Sequence, residues 1–241
     1  MSKKPSVSVC VATYNGEQYI AAQIESILAQ LSEEDEIIVS DDGSSDQTKA
    51  VVEELMKKDG RIRMTDGPHD GFSKNFENAV KQARNEIVLF SDQDDIWEEG
   101  KVEQMKKIFR AKPEITTILH DMATFRNDSL INTDEIAISY HGGVLRNFIK
   151  SSYWGCCMAV KREFLMQFIP FRAHCVGHDQ LIGLMTEKHG KALYLNQKLL
   201  WHRLHGANTS NRRTVKQMIV FRYELTKDFI EAEKQYKKHK R

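Results

Sequence analysis

Three short apolar runs in the first half of the chain each stop on a polar turn and give way to a helical pattern. That alternation leaves few folds open. The runs are "SVSVCVAT" (Ser6–Thr13), "EIIVS" (Glu36–Ser40) and "EIVLFS" (Glu86–Ser91). They are rich in β-branched residues and bounded by turn formers, which predicts strands. Between them, Ile20, Ile24, Ile27, Leu28 and Leu31 mark one face of a helix over Glu17–Leu31, and Thr48–Lys58 is helical. A third helix covers Ser73–Arg84, with Phe72, Phe76, Ala79, Val80 and Ala83 as its buried stripe. A helix near Glu99–Ala111 and a strand at Ile115–His120 continue the series. Repeated strand–helix–strand units imply right-handed crossovers, so the expected class is α/β, a mostly parallel central sheet flanked by helices.

In such sheets, ligands bind beyond the carboxyl ends of the strands. The turns "TYNGE", "DDGSSDQT" and "SDQDD" all fall there. At 241 residues the chain is long enough for one sizeable core, and its net charge of +1 gives no reason to expect nucleic acid as a partner. Cys10, Cys156, Cys157 and Cys175 follow no zinc spacing, and His174, Cys175 and His178 lack an evident fourth ligand. The N-terminus has no apolar signal region and no run long enough to span a bilayer, so a soluble, cytoplasmic protein is expected.

The acidic turn poses the sharpest question. Asp92, Asp94 and Asp95 repel one another unless something offsets their charge. Oxygen ligands at this density suit Mg²⁺ or Mn²⁺, and the alternative is a solvated turn ahead of a helix, where aspartates are also favoured. Asp41–Thr48 has two readings as well, a ligand-binding turn or a run of turn formers with Ser45 or Asp46 as a helix cap. From Ile131 to Gly143 the composition suggests a mobile loop; Ser151–Phe168 reads as a strand entering a helix, and "GHDQLIGLMTEKHG" as a helix.

Taken together, "VATYNGEQYIAAQIESILAQ", "IIVSDDGSSDQT" and "FSDQDDIW" resemble the opening of the family 2 glycosyltransferases, with their Rossmann-like GT-A fold. The resemblance covers roughly residues 5–210 and implies a GT-A domain over 1–210. Its nucleotide-binding half would run to about 97 and its acceptor-binding half from about 98 to 210, followed by a basic amphipathic C-terminal helix over 211–241. It implies that Tyr14 lies against the donor's pyrimidine ring, that Thr13 and Glu17 line the same pocket, and that Asp42 accepts from the pyrimidine N3–H, with Asp41 as a brace. "FSKN" is similar to a family segment at the diphosphate, with Lys74 where the family has arginine, beside Asn75. Asp92 and Gln93 would meet the donor, Asp92 and Asp94 would hold a divalent metal, and Asp95 would support them or touch the donor sugar.

Further along, "VGHDQLIG" resembles the family's catalytic-base segment, which makes Asp179 the base; without that resemblance, Asp179 reads as a helix cap. "LLWHRLHGANTS" resembles a segment of bacterial polysaccharide glycosyltransferases, many of them rhamnosyltransferases. It implies Arg203 and Asn208 at the donor and His205 as a third metal ligand or diphosphate contact. Trp154, Gly155 and His178 would face the acceptor. The implied reaction is inverting, metal-dependent transfer of one sugar from a UDP- or dTDP-sugar to a saccharide or lipid-linked saccharide hydroxyl. A nucleotidyltransferase and a non-catalytic sugar-nucleotide-binding protein are the alternatives. The basic tail, with Met218, Ile219, Phe221, Leu225, Phe229 and Ile230, suits either contact with the inner face of an anionic membrane or packing on the domain.

Overall fold

The computed structural model describes residues 5–126, 130–134, 136–205 and 214–240. Strands β1 (Val7–Thr13), β2 (Glu36–Asp41), β3 (Ile62–Asp66) and β4 (Ile87–Ser91) alternate with helices α1 (Ile20–Leu28), α2 (Thr48–Lys58) and α3 (Phe72–Gln82). After β5 (Ile96–Trp97) come α4 (Lys101–Ala111), β6 (Thr117–Phe125) and α5 (Val144–Ile149). A 3-10 turn at Gly155–Cys157 leads into β7 (Met158–Lys161), α6 (Arg162–Leu165), α7 (His178–His189), β8 (Ala192–Arg203) and α8 (Val215–His239).

The eight strands form one sheet in the order β3-β2-β1-β4-β7-β6-β8-β5. β1 runs parallel to β2 and β4, β2 to β3, and β6 to β8. Only β7 and β5 run against their neighbours. The sheet is therefore mostly parallel, as expected. Successive side chains on a strand point to opposite faces. Val9 and Val11 accordingly join Ile20, Ile24 and Ile27 of α1 in one buried cluster. Cys10 joins Phe76 and Val80 of α3 in the other, where α7 and α8 also contribute. In the β1–β2 register, Thr13 lies opposite Asp41, and Val11 lies opposite Ser91 of β4. All three polar turns thus leave the sheet along one edge.

Four elements differ from the sequence expectation. β3 was hidden because "IRMTD" buries only Ile62, and β5 is two residues long. β8 was hidden because its middle, Asn196 to Lys198, is exposed, and its pairing with β6 shifts register twice. α5 gives too short a periodic signal to read. Residues 131–134 and 136–143, expected as a mobile loop, form no helix or strand but are tied to the body. The Thr133 amide donates to the Thr124 carbonyl (2.8 Å), Ile138 is buried, and Tyr140 stacks on Tyr194. No helix among the described residues is long and apolar enough to cross a membrane.

Candidate active site

The first turn is held open by a side chain from the third. Gln93 Oε1 accepts from Thr13 Oγ1 (2.6 Å) and from the Tyr14 amide (2.9 Å), while its Nε2 donates to the Tyr14 carbonyl (3.1 Å). Thr13 and Gln93, expected at the donor, are therefore engaged with each other as a clasp. Only Gly16 fits beside it, since a Cβ there would lie 2.3 Å from Gln93 Oε1. Tyr14, 57% exposed, keeps its ring face open. Glu17 accepts from the Gln47 amide (2.7 Å) at the start of α2, so its carboxylate serves the turn.

In the second turn, buried Asp41 is a brace. It accepts from the Gly43 amide (3.1 Å), the Ser44 amide (2.8 Å) and the Ser44 hydroxyl (2.5 Å). Half-buried Asp42 accepts from the His69 amide (2.7 Å) and the Gly71 amide (3.1 Å), one on each oxygen. Each oxygen keeps a further lone-pair position for a donor. Asn75 lies beneath, its Nδ2 donating to the Ser40 carbonyl (2.8 Å) and the Thr13 carbonyl (3.3 Å), with Oδ1 unpartnered among the described residues. Lys74, expected at a diphosphate, is engaged with protein groups here. Its ammonium donates to buried Glu77 (2.7 Å) and to the Phe171 carbonyl (3.2 Å), a knot that Glu77 completes by accepting from the Phe171 amide (2.8 Å). Lys81 pairs with the other oxygen of Glu77, so the buried carboxylate is held by two ammonium groups.

The acidic turn meets the end of β8. Burial first, then Asp95 and Asp94, and more weakly Asp179, push the Asp92 carboxyl up to about 8. Asp94 is raised as well, chiefly by burial and Asp95, against a pull downward from His205, whose Nε2 lies 2.7 Å from Asp94 Oδ2. Both shifts have the same causes: burial of the carboxylates first, then their crowding beside Asp95, which the nearby imidazoles offset only in part. Asp94 and His205 are in contact and Asp92 is near enough for the Asp94 charge to act on it; the carboxylates suit Mg²⁺ or Mn²⁺, and the imidazole suits Mn²⁺ better than Mg²⁺.

Asp95 is different. Fully buried, it accepts from His202 Nδ1 (2.8 Å) and from the Arg203 amide (3.2 Å), while its Oδ2 has no partner among the described residues. Burial alone would lower His202, but Asp95 outweighs it and pushes the imidazole up to about 9. Asp95, His202 and Cys156 place potential ligand atoms within 4.8 Å of one another. Asp95 favours the protonated imidazole, and the Cys156 thiol is raised by its hydrogen bond to Cys157 and by burial, so both are biased away from the forms that ligate a metal. The trio is an internal ion pair beside a thiol. Arg203 also acts on protein, its Nε donating to the Asp94 carbonyl (3.0 Å) and its guanidinium lying over Tyr19 and Phe125. Asn208 lies outside the described residues.

Sequence reasoning missed Lys101. Buried at the start of α4, it donates to the Cys156 carbonyl (3.1 Å) and sits 3.9 Å over the Trp97 ring. Burial pushes its ammonium down to about 8, while nearby thiols, Asp95 and Asp92 act to raise it. The available signal was a lysine in the first turn of a helix, where the macrodipole disfavours it, directly after an acidic cluster.

Asp179 opens α7, half-buried, and Oδ1 accepts from the Gln180 amide (2.7 Å). His178, expected to face an acceptor, is buried among Phe72, Phe76 and Phe90, with its ring 4.3 Å from that of Phe76. Burial pushes it down to about 3, so it is a neutral core imidazole. Gly155 backs onto it, since a Cβ there would lie 3.0 Å from His178 Nε2. Trp154 is half-buried, edge-on to His202.

A sequence model of the family described as Glycosyl transferase family 2 matches residues 8–168. An uncharacterised glycosyltransferase of Nostoc sp. is 26% identical, over 84% of this chain and 66% of its own. The dTDP-rhamnosyl transferase RfbG of Shigella flexneri is 26% identical, over 90% of this chain and 82% of its own. Two further curated relatives are spanned over 44% and 30% of their length. Among solved structures, S. aureus TarS 1-349 in complex with UDP-GlcNAc superposes with a TM-score of 0.73 at 19% identity, over 96% of this chain and 70% of that one.

Proposed function

The chain belongs to the family 2 glycosyltransferases, and from that premise we propose that it transfers one sugar, with inversion, from a UDP- or dTDP-sugar to a hydroxyl of a surface-polysaccharide or lipid-linked saccharide acceptor. The observation that carries this reading is the contact of His205 Nε2 with Asp94 Oδ2 (2.7 Å), beside an Asp92 near enough to Asp94 and Asp179 for both charges to act on it. The donor half, about 1–97, binds the nucleotide, with Tyr14 against the pyrimidine and Asp42 accepting from its N3–H. Thr13, Gln93, Glu17 and Asn75 hold those two in place. The acceptor half, about 98–210, supplies Asp179 and the Trp154–Gly155 wall. Asp92, Asp94 and His205 would hold a divalent cation, which when bound supplies Lewis-acid stabilisation of the leaving diphosphate.

In the reaction, Asp179 takes the proton of the acceptor hydroxyl as its oxygen bonds to the anomeric carbon. The bond from that carbon to the phosphate oxygen breaks, and the nucleoside diphosphate leaves with the electron pair. One displacement with one base inverts the anomeric centre. The name of the Shigella relative supports a dTDP-sugar donor, while the N3–H contact accommodates uracil equally.

Calorimetric titration of UDP, dTDP, GDP and CDP, with Mn²⁺ or with EDTA, tests this. The expected result is metal-dependent binding of UDP or dTDP alone, abolished in Asp94→Ala. Binding of none of the four, or equal binding of all without metal, overturns it.

A further inference from the structure

The C-terminal helix exposes apolar surface that its packing does not require. α8 buries Phe221, Leu225, Ala232 and Tyr236 against the domain, which accounts for one stripe. Its first half carries a second stripe at i, i+4 and i+8: Val215, Ile219 and Tyr223 are 69%, 65% and 62% exposed. On α5, Leu145 and Ile149 are 72% and 67% exposed. The two helices are joined by Arg222, which donates to the Ile149 carbonyl (2.8 Å) and to Gln180 Oε1 (2.9 Å), beside Asp179. Single apolar residues on a surface are ordinary, whereas a group of five on two linked elements marks an interaction face.

We propose that α5 and the first half of α8 form a platform that rests on an anionic lipid bilayer and turns the Asp179 side of the site toward it. The proposal rests on the reading of the acceptor as lipid-linked. Charge selects the occupant. Arg146, Lys150 and Lys216 are exposed around the apolar residues, and none of them has an ion-pair partner among the described residues. Neighbouring carboxylates are occupied: Glu224 pairs with Arg172 (2.6 Å) and Lys227 (2.9 Å), and buried Asp228 pairs with Arg172 (2.7 Å). Apolar side chains rimmed by uncompensated cations match the boundary of an anionic leaflet. A second copy of the same face would bring like charges together, which disfavours it.

The test is flotation of the full chain with vesicles of phosphatidylcholine alone or in equal mixture with phosphatidylglycerol. The expected result is association with the anionic vesicles only, weakened by high salt. The double substitution Leu145→Asp with Ile219→Asp, at exposed positions, lowers the partition coefficient by about tenfold or more with melting temperature unchanged. Equal association with both vesicle types, or an unchanged partition coefficient in the variant, overturns the proposal. Self-association that the variant abolishes, without vesicle binding, assigns the face to a second copy and overturns it too. The nucleotide titration, run on the same preparations, separates the two readings: loss of nucleotide binding with flotation intact sinks the donor assignment, and the reverse sinks only the platform.

Discussion

Gly16→Ala probes the clasp between the first and third turns. The added methyl would meet Gln93 Oε1 at 2.3 Å and Cδ at 2.6 Å, with Thr13 Oγ1 at 3.2 Å. Gln93 is long and flexible, so it can swing aside, and the cost is the loss of its three hydrogen bonds more than the clash itself. The bond from buried Thr13 falls at the upper end of net hydrogen-bond contributions, about 1.5 kcal/mol. The two bonds to the exposed Tyr14 backbone are recovered in part by water and contribute about 0.5 kcal/mol each. The expected destabilisation is therefore about 2.5 kcal/mol in urea unfolding, with weaker nucleotide binding as Tyr14 loses its support. Gln93→Ala removes the same three bonds without the clash and should cost a similar amount. The double variant should then be no worse than either single one, giving a coupling energy of about 2.5 kcal/mol. Additive effects would refute the clasp and leave Gly16 with some other steric role.

Three more tests address charges in and beneath the site. Lys101, at about 8 in the folded chain against roughly 10.4 unfolded, binds fewer protons folded than unfolded between those values. Its contribution therefore makes stability rise with pH across that window, by up to about 3 kcal/mol, and Lys101→Met should flatten the slope in EDTA-treated protein. His202 has the opposite sign: raised to about 9, it stabilises fully below about pH 6.5 and loses that contribution as pH climbs through 9. Asp95→Asn should lower the NMR titration midpoint of His202, because only the more weakly acting Asp92 and Asp94 are then left to oppose burial, and should cost about 3 kcal/mol at neutral pH. Lys74→Ala should lower stability by about 1–2 kcal/mol while leaving nucleotide affinity within about twofold, because its partner is Glu77; a tenfold loss of affinity would return Lys74 to the diphosphate.

The parallel half of the fold was legible because its signals are local. Apolar periodicity and the turn at each strand end mark β1, β2 and β4, and the parallel register then aligns Thr13, Asp41 and Ser91. The pairing of Asp94 with His205 was legible only through the resemblance, since the two are far apart in sequence. Side-chain direction was not legible at all. "SDQDD" does not reveal that Gln93 turns back to Tyr14, nor "FSKN" that Lys74 turns to Glu77, because those choices depend on which buried carboxylate or amide lacks a partner. His178 was misread for the same reason: its neighbours Phe72, Phe76 and Phe90 come from two other elements.

The contact between the acidic turn and the end of β8 also bears on how the chain acquires its site. His202 meets Asp95 across 107 positions of sequence, and His205 meets Asp94 across 111. Closing so long a loop is entropically slow, and nothing local compensates until β8 docks between β6 and β5. The parallel half can form first with its carboxylates still unopposed, and the site is completed by the strand that arrives late. A nucleotide that binds only the finished arrangement draws the population toward it by mass action. Donor binding is then also a readout of completed folding, and added nucleotide should rescue chains slowed at that final step.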